Sequence, residues 1–210
     1  MYLEDKEIIT FDFDGVITDS VSRMVEWVKK VCDEMWIYAD NDFYKKHASN
    51  PNLPQLLFPD SISKQEQAKK IYVDFMDESN FIPELIKWTK DIFSQIKEDN
   101  KNIAFFSSKM KDDIDKIMLH YWLEKFVDLT IWKNCVSKNK PNPEWFKIIM
   151  KFFWKSKNDL IMLWDSQSDY NAAINWKIDF LWVNTWVLSK EDWQKLWVKN
   201  INSIKKLLSI

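Results

Sequence analysis

The chain has 210 residues and a formal charge of −2 at pH 7, with 30 basic against 32 acidic side chains. That length suits one good core, or a core domain with a smaller insertion, and the balanced charge offers no attraction for nucleic acid or an anionic membrane. No apolar run approaches the roughly 20 residues of a membrane span. The first strand pattern follows the N-terminus so closely that no signal peptide is expected. Cys32 and Cys135 are far apart and His47 and His120 are the only histidines, so zinc is not expected and a reducing cytoplasm is.

In chain order, residues 8–13 form an apolar run, β-branched and aromatic, that reads as a short buried strand ending near Gly15. Asp12 and Asp14 lie two apart at its C-terminal end, so alternation along a strand points both carboxylates the same way. Residues 20–35 carry Val21, Met24, Val25, Val28, Val31 and Met35 at helical spacing, with Asp19 or Ser20 as cap. No strand pattern follows before residue 82. Pro51, Pro54 and Pro59 mark loops between short helices, and Ser63-Lys64-Gln65-Glu66 reads as a capping box opening a helix to about Glu78.

Strands and helices then alternate. Helices are expected over 84–98, 111–121, 169–175 and from Asn142-Pro143-Glu144 to about Phe153. Strands are expected over 103–106, 129–131, 160–163 and 180–183, with a polar, partly helical tail from Lys190. The alternation implies an α/β fold, a doubly wound parallel sheet. The domain reading is a core of residues 1–15 and 84–210 with an all-helical cap, 16–83, inserted above the site.

In such a sheet ligands bind at the C-terminal edge of the strands. Four strand ends carry polar groups: Asp12 and Asp14; Ser107 and Ser108; Lys138 and Lys140 before the Asn142 helix; Asp165 and Asp169. Singly, serines cap helices, lysines solvate loops and acids open helices. Together they suit phosphoryl chemistry, in which a cation and positioned donors must screen a dianionic monoester. Asp12, Asp165 and Asp169 would hold Mg²⁺, with Asp14 beside them; one Asp oxygen would attack phosphorus. Ser107, with Ser108, and Lys140 would meet the phosphoryl oxygens, leaving Asp14 as acid and base.

FDFDGVITDS, FFSSK, NKPNPE and LWDSQSD, in that order and spacing, resemble the four motifs of the haloacid-dehalogenase (HAD) superfamily. The resemblance covers essentially the whole chain and is closest to the branch with a helical cap after the first motif, phosphoglycolate-phosphatase-like enzymes and β-phosphoglucomutases. It implies a Rossmann-like HAD core. It also implies Asp12 as nucleophile, Asp14 as acid/base, Ser107 and Lys140 as phosphate ligands, and Asp165 with Asp169 as metal-site acids. Asp14 argues against dehalogenation, because dehalogenases lack that second aspartate. Met24 stands where the mutases have a histidine, which favours hydrolysis. The expectation is a Mg²⁺-dependent phosphatase of a small phosphorylated metabolite working through an aspartyl-phosphate. The alternatives are a sugar-phosphate mutase, a non-catalytic phosphate-binding relative, or a receiver domain, which would lack the insertion.

One count is abnormal: 13 tryptophans and a single glycine, where about 7 % glycine is usual. Trp36, Trp122, Trp154 and Trp176 each follow a helix's last apolar residue, the position that adopts left-handed backbone and prefers glycine. Against the family pattern, Trp88, Trp164, Trp182 and Trp186 likewise stand for glycine. Some bacteria read UGA as glycine while other translation tables read it as tryptophan. Tryptophans written for UGA glycines are therefore expected to show positive φ at the four helix ends.

Overall fold

A computed structural model describes residues 3–48, 50, 52–77, 81–138, 142–165, 167–183, 200–201 and 203–209, with backbone alone for 76, 77, 167–169, 200, 208 and 209. The chain divides into two compact units, one of residues Met1–Asp19 and Glu84–Ile210, the other of Ser20–Pro83.

The first unit is the expected α/β fold. The strands of its main sheet are β1 (Ile8–Asp12), β4 (Asn102–Phe106), β5 (Leu129–Ile131), β6 (Leu160–Trp164), β7 (Asp179–Val183) and β8 (Asn200–Ile201). They form one sheet in the order β5-β4-β1-β6-β7-β8, every pairing parallel. All five residues of β1 are buried, as a strand covered on both faces requires.

Alternation along the strands sorts the core into two layers. Ile8, Ala104, Phe106, Ile131, Met162 and Trp164 share a cluster with Trp145, Phe146 and Ile149 of α7 (Glu144–Phe153) and with Ala172 and Ala173 of α8 (Gln167–Trp176). On the opposite parity, Phe11 and Phe105 meet Phe93 of α5 (Thr89–Glu98) at ring-centroid distances of 5.1 and 5.6 Å. The Thr130 hydroxyl points to Met118 Sδ of α6 (Lys111–Tyr121) at 3.7 Å. Helices therefore cover both faces, which is the doubly wound arrangement.

Three expected elements change. Residues 84–98 do not form one helix: Glu84–Leu85 is a strand, β3, pairing antiparallel with β2 (Thr18–Asp19), and α5 starts only after Trp88, whose φ is 78°. A short strand needs a partner from far away in sequence, and periodicity does not reveal one. Asn142 is not the N-cap of α7; Pro143 is, and the Asn142 carboxamide oxygen accepts from Glu144 N–H at 3.0 Å. The tail contributes β8 against β7 and a 3₁₀ turn, Ile204–Ser209, beside α5, while residues 184–199 lie outside the described residues.

The second unit is helical: α1 (Val21–Glu34), α2 (Asn41–His47), α3 (Leu53–Leu57) and α4 (Ile62–Asp77). The expected capping box at Ser63 is replaced by a simple cap two residues earlier: α4 opens at Ile62, which puts Ser63 inside the helix, and Ser61 Oγ accepts from Lys64 N–H at 3.4 Å. Trp27, Val28, Val31, Cys32, Tyr44, Leu53, Ala68, Ile71 and Phe75 form this unit's own core. Burial pushes the Cys32 thiol up, so it packs as a neutral group. Arg23 binds α1 to α4: its guanidinium lies 3.5 Å over the Phe75 ring and donates to Phe75 O at 3.0 Å. Among the described residues no helix is long and apolar enough to cross a membrane.

Among the described residues four tryptophans have left-handed backbone: Trp36 (φ 57°), Trp88 (78°), Trp122 (57°) and Trp154 (55°). The expectation holds at Trp36, Trp122 and Trp154 and fails at Trp176, which is the last residue of α8; the left-handed residue there is Lys177 (φ 55°). Each such non-glycine residue costs on the order of 1–3 kcal/mol.

Phe11, fully buried and edge-on to both Phe93 and Phe105, is where sheet and helix layer meet. Phe11→Ala should lower unfolding free energy by about 3–5 kcal/mol, read from the urea midpoint at constant m-value.

Candidate active site

The site begins with the turn that follows β1. Asp12 ends the strand, is 8 % exposed, and accepts from Phe13 N–H at 2.8 Å through Oδ1, which sets the rotation of its carboxylate. The chain then reverses. Ile17 N–H, Thr18 N–H and the Thr18 hydroxyl all donate to Phe13 O, at 3.1, 3.0 and 3.1 Å, and Gly15 N–H donates to Thr18 O at 2.8 Å. Gly15 has φ 72°, a conformation that costs glycine nothing. This closed turn holds Asp14 just beyond the strand end.

Pairing supplies the neighbours. Asp12 is in register with Phe106, so the next residue of that chain segment, Ser107, follows directly at the same edge; Phe11 is in register with Leu163, which puts Asp165 just past the end of β6 on the other side. Because β1, β4 and β6 are parallel, these ends share one edge of the sheet. Ser107 is fully buried, donates its N–H to Ile131 O at 3.0 Å, and accepts from Lys109 N–H at 3.1 Å through Oγ. A hydroxyl used as acceptor still has its own hydrogen to give. Ser108 is exposed and Asp165 half-buried. Asp169 lies on α8, its side chain outside the described set, and Lys140 is outside the described residues altogether.

Two polar contacts were not expected. Lys109 Nζ pairs with Asp14 Oδ1 at 3.1 Å, the lysine side chain being 18 % exposed. Sequence order hid this pairing, although Lys109 sits in the FFSSK run two residues after Ser107. Glu144 Oε2 accepts from Ser137 N–H, the Ser137 hydroxyl and Lys138 N–H at 3.0, 2.7 and 3.1 Å. A carboxylate at a helix start is favoured by the dipole, and here it also ties down the loop after the 3₁₀ turn Lys133–Cys135. The Ser137 hydroxyl, the Ser137 amide and then Lys138 hold the Glu144 carboxyl below the usual range.

The chemistry of the donor set suits a hard divalent cation: Asp12 ends β1, Asp165 directly follows the adjacent parallel strand β6, and Asp169 lies in the first turn of α8. Among the described residues no group of three His, Cys, Asp or Glu is gathered closely enough to hold a metal ion by itself. Mg²⁺ commonly takes only one or two carboxylates and keeps several waters, so the described acids remain compatible with it.

The match to known proteins now bears on this edge. The model of the haloacid dehalogenase-like hydrolase family matches residues 9–183. The chain belongs to that family. A phosphorylated carbohydrates phosphatase of Thermotoga maritima is 22 % identical over 179 residues, covering 80 % of both chains. In structure, the chain is similar to a haloacid dehalogenase-like family hydrolase from Streptococcus pneumoniae, with a TM-score of 0.79, 14 % identity, and 98 % of each chain covered. It is similar also to a HAD-superfamily subfamily IA hydrolase from Geobacter sulfurreducens, with a TM-score of 0.71, 13 % identity, and 98 % and 96 % of the chains covered. At such identities the structural likeness speaks for the fold, and the family model carries the membership.

Glu144 gives a pH test. Because its folded pKa is depressed, its contribution to stability is complete above the unfolded glutamate value and is lost as pH falls through the folded one. Carbon-detected NMR titration should find the Glu144 carboxyl ionised further into acid than a free glutamate, and Ser137→Ala should move it back up.

Proposed function

We propose that this hydrolase cleaves small phosphate monoesters through an aspartyl-phosphate on Asp12, with Asp14 as the acid and base and with Mg²⁺ held by Asp12, Asp165 and Asp169. The observation that carries the reading is the parallel register of β1 with β4 and β6, which gathers Asp12, Ser107 and Asp165 at one sheet edge. The family match over residues 9–183 supports the reaction class. The Thermotoga relative, a phosphatase of phosphorylated carbohydrates, supports a sugar phosphate as substrate class.

The chain's own groups divide the work as follows. An Asp12 carboxylate oxygen attacks phosphorus, and the bond from phosphorus to the ester oxygen breaks. Asp14 gives its proton to that leaving oxygen, then takes one from the water that attacks the phosphorus of the aspartyl-phosphate, releasing phosphate and restoring the Asp12 carboxylate. Ser107 donates its hydroxyl to a phosphoryl oxygen, and Lys140 adds a point charge. Lys109, paired with Asp14, restrains where that carboxylate points. Mg²⁺ would neutralise charge on the phosphoryl oxygens and so let one anion approach another. The helical unit, residues Ser20–Pro83, is proposed as the cap that selects the substrate. A cytoplasmic setting fits the two free cysteines.

Asp12→Asn should abolish hydrolysis of p-nitrophenyl phosphate and of hexose phosphates, and the wild-type protein should lose activity in EDTA and regain it with Mg²⁺. Persistent turnover by Asp12→Asn would remove Asp12 as the nucleophile. Activity that requires glucose 1,6-bisphosphate and yields an isomerised sugar phosphate would replace hydrolysis with the mutase reaction.

A further inference from the structure

We propose that Trp36, Trp88, Trp122 and Trp154 are glycines in the protein that its own cell makes, their codon being one that this cell reads as glycine. The inference is independent of the phosphatase reading.

It rests first on backbone geometry. Among the described residues, six other than glycine have positive φ: Trp36, Trp88, Asn100, Trp122, Trp154 and Lys177. With 13 tryptophans in 210 residues, chance would put fewer than one at six positions; there are four. Left-handed backbone suits glycine and is tolerated by asparagine, but a bulky side chain there is an outlier. The places are the ones where chains recruit glycine. Trp122 and Trp154 are the C-caps of α6 and α7, with φ, ψ of 57°, 45° and 55°, 40°. In both, the backbone closes the helix as a glycine cap does: Leu123 N–H donates to Met118 O at 2.9 Å, and Lys155 N–H to Met150 O at 3.0 Å. Trp36 does the same after α1, Ile37 N–H reaching Cys32 O at 2.8 Å.

The second support is that three of the four indoles lie in water. Trp36, Trp122 and Trp154 are 95 %, 73 % and 91 % exposed, so the largest apolar side chain is left in water at each helix end. Trp88 is half-buried, with the Lys87 and Lys205 ammonium groups 5.2 and 4.7 Å from its ring. A tryptophan kept for packing would be buried, and one kept for its N–H would have an acceptor. In the core Trp145 is fully buried, its Nε1 has no hydrogen-bond partner among the described residues, and its ring centroid lies 3.5 Å from that of Phe146, closer than the roughly 4.5–7 Å that aromatic pairs prefer.

Two measurements test the inference. In the gene, UGA is expected at all four codons, and peptides of the protein isolated from its source should carry the mass of glycine there. UGG codons, or tryptophan in those peptides, would overturn it. In a chain made with tryptophan at these positions, the combined change Trp36→Gly, Trp88→Gly, Trp122→Gly and Trp154→Gly should raise Tm by on the order of 10 °C. The matching four-alanine variant removes the indoles but keeps a Cβ in left-handed backbone, so it should gain clearly less. Equal gains from alanine and glycine would show that bulk, not φ, is what these positions reject, and would overturn the structural basis.

Discussion

The structure depends on the parallel pairing of β1 between β4 and β6. Each strand pair shares a register in which Asp12 stands opposite Phe106 and Phe11 opposite Leu163. A slip of one residue would exchange the two faces of β1. It would take Phe11 out of the ring cluster with Phe93 and Phe105 and move Ile8 out of the layer built on α7 and α8. The hydrophobic layers therefore lock the register, and the register aligns the polar residues at the strand ends. Packing and chemistry are set by the same alternation: residues inside the strand span satisfy the core, and those one step past it are left at the edge.

That edge is buried and closely hydrogen-bonded. The turn after Asp12 closes on Phe13 O with three donors, and Gly15 supplies the one backbone conformation there that a side chain would resist. Ser107 is gripped from both sides, by Ile131 O and by the Lys109 amide. Lys109 then returns its ammonium to Asp14, so the first and second motifs are joined by an ion pair as well as by strand pairing. Glu144 performs a similar service on the neighbouring helix, gathering three donors from Ser137 and Lys138. Fixed dipoles and paired charges of this kind lose little when a charged ligand arrives, which is what makes preorganised sites effective.

The two units are joined by a device that local sequence conceals. The chain leaves the α/β unit after β2 and re-enters it at β3, and these two-residue strands pair with each other, Thr18 with Leu85 and Asp19 with Glu84. The 64-residue excursion Ser20–Pro83 thus starts and ends at one place. Within the insertion a separate apolar core forms around α1 and α4.

The sequence by itself determined the buried strand beginning at Ile8, the polar strand ends, the helix over 111–121, the helix that ends near Phe153, and the left-handed helix ends at Trp36, Trp122 and Trp154. All of these are written in residues close together, where periodicity, capping and steric preference act. Tertiary structure alone decided the β2–β3 ribbon that replaces the start of an expected helix, the β8 strand on the sheet's far side, the shift of the α4 cap from Ser63 to Ser61, and the pairing of Lys109 with Asp14. A two-residue strand has no periodicity to read, and an ion pair between residues 95 positions apart exists only once two strands lie side by side. Local sequence specifies what each segment can become; the sheet specifies which distant segments meet.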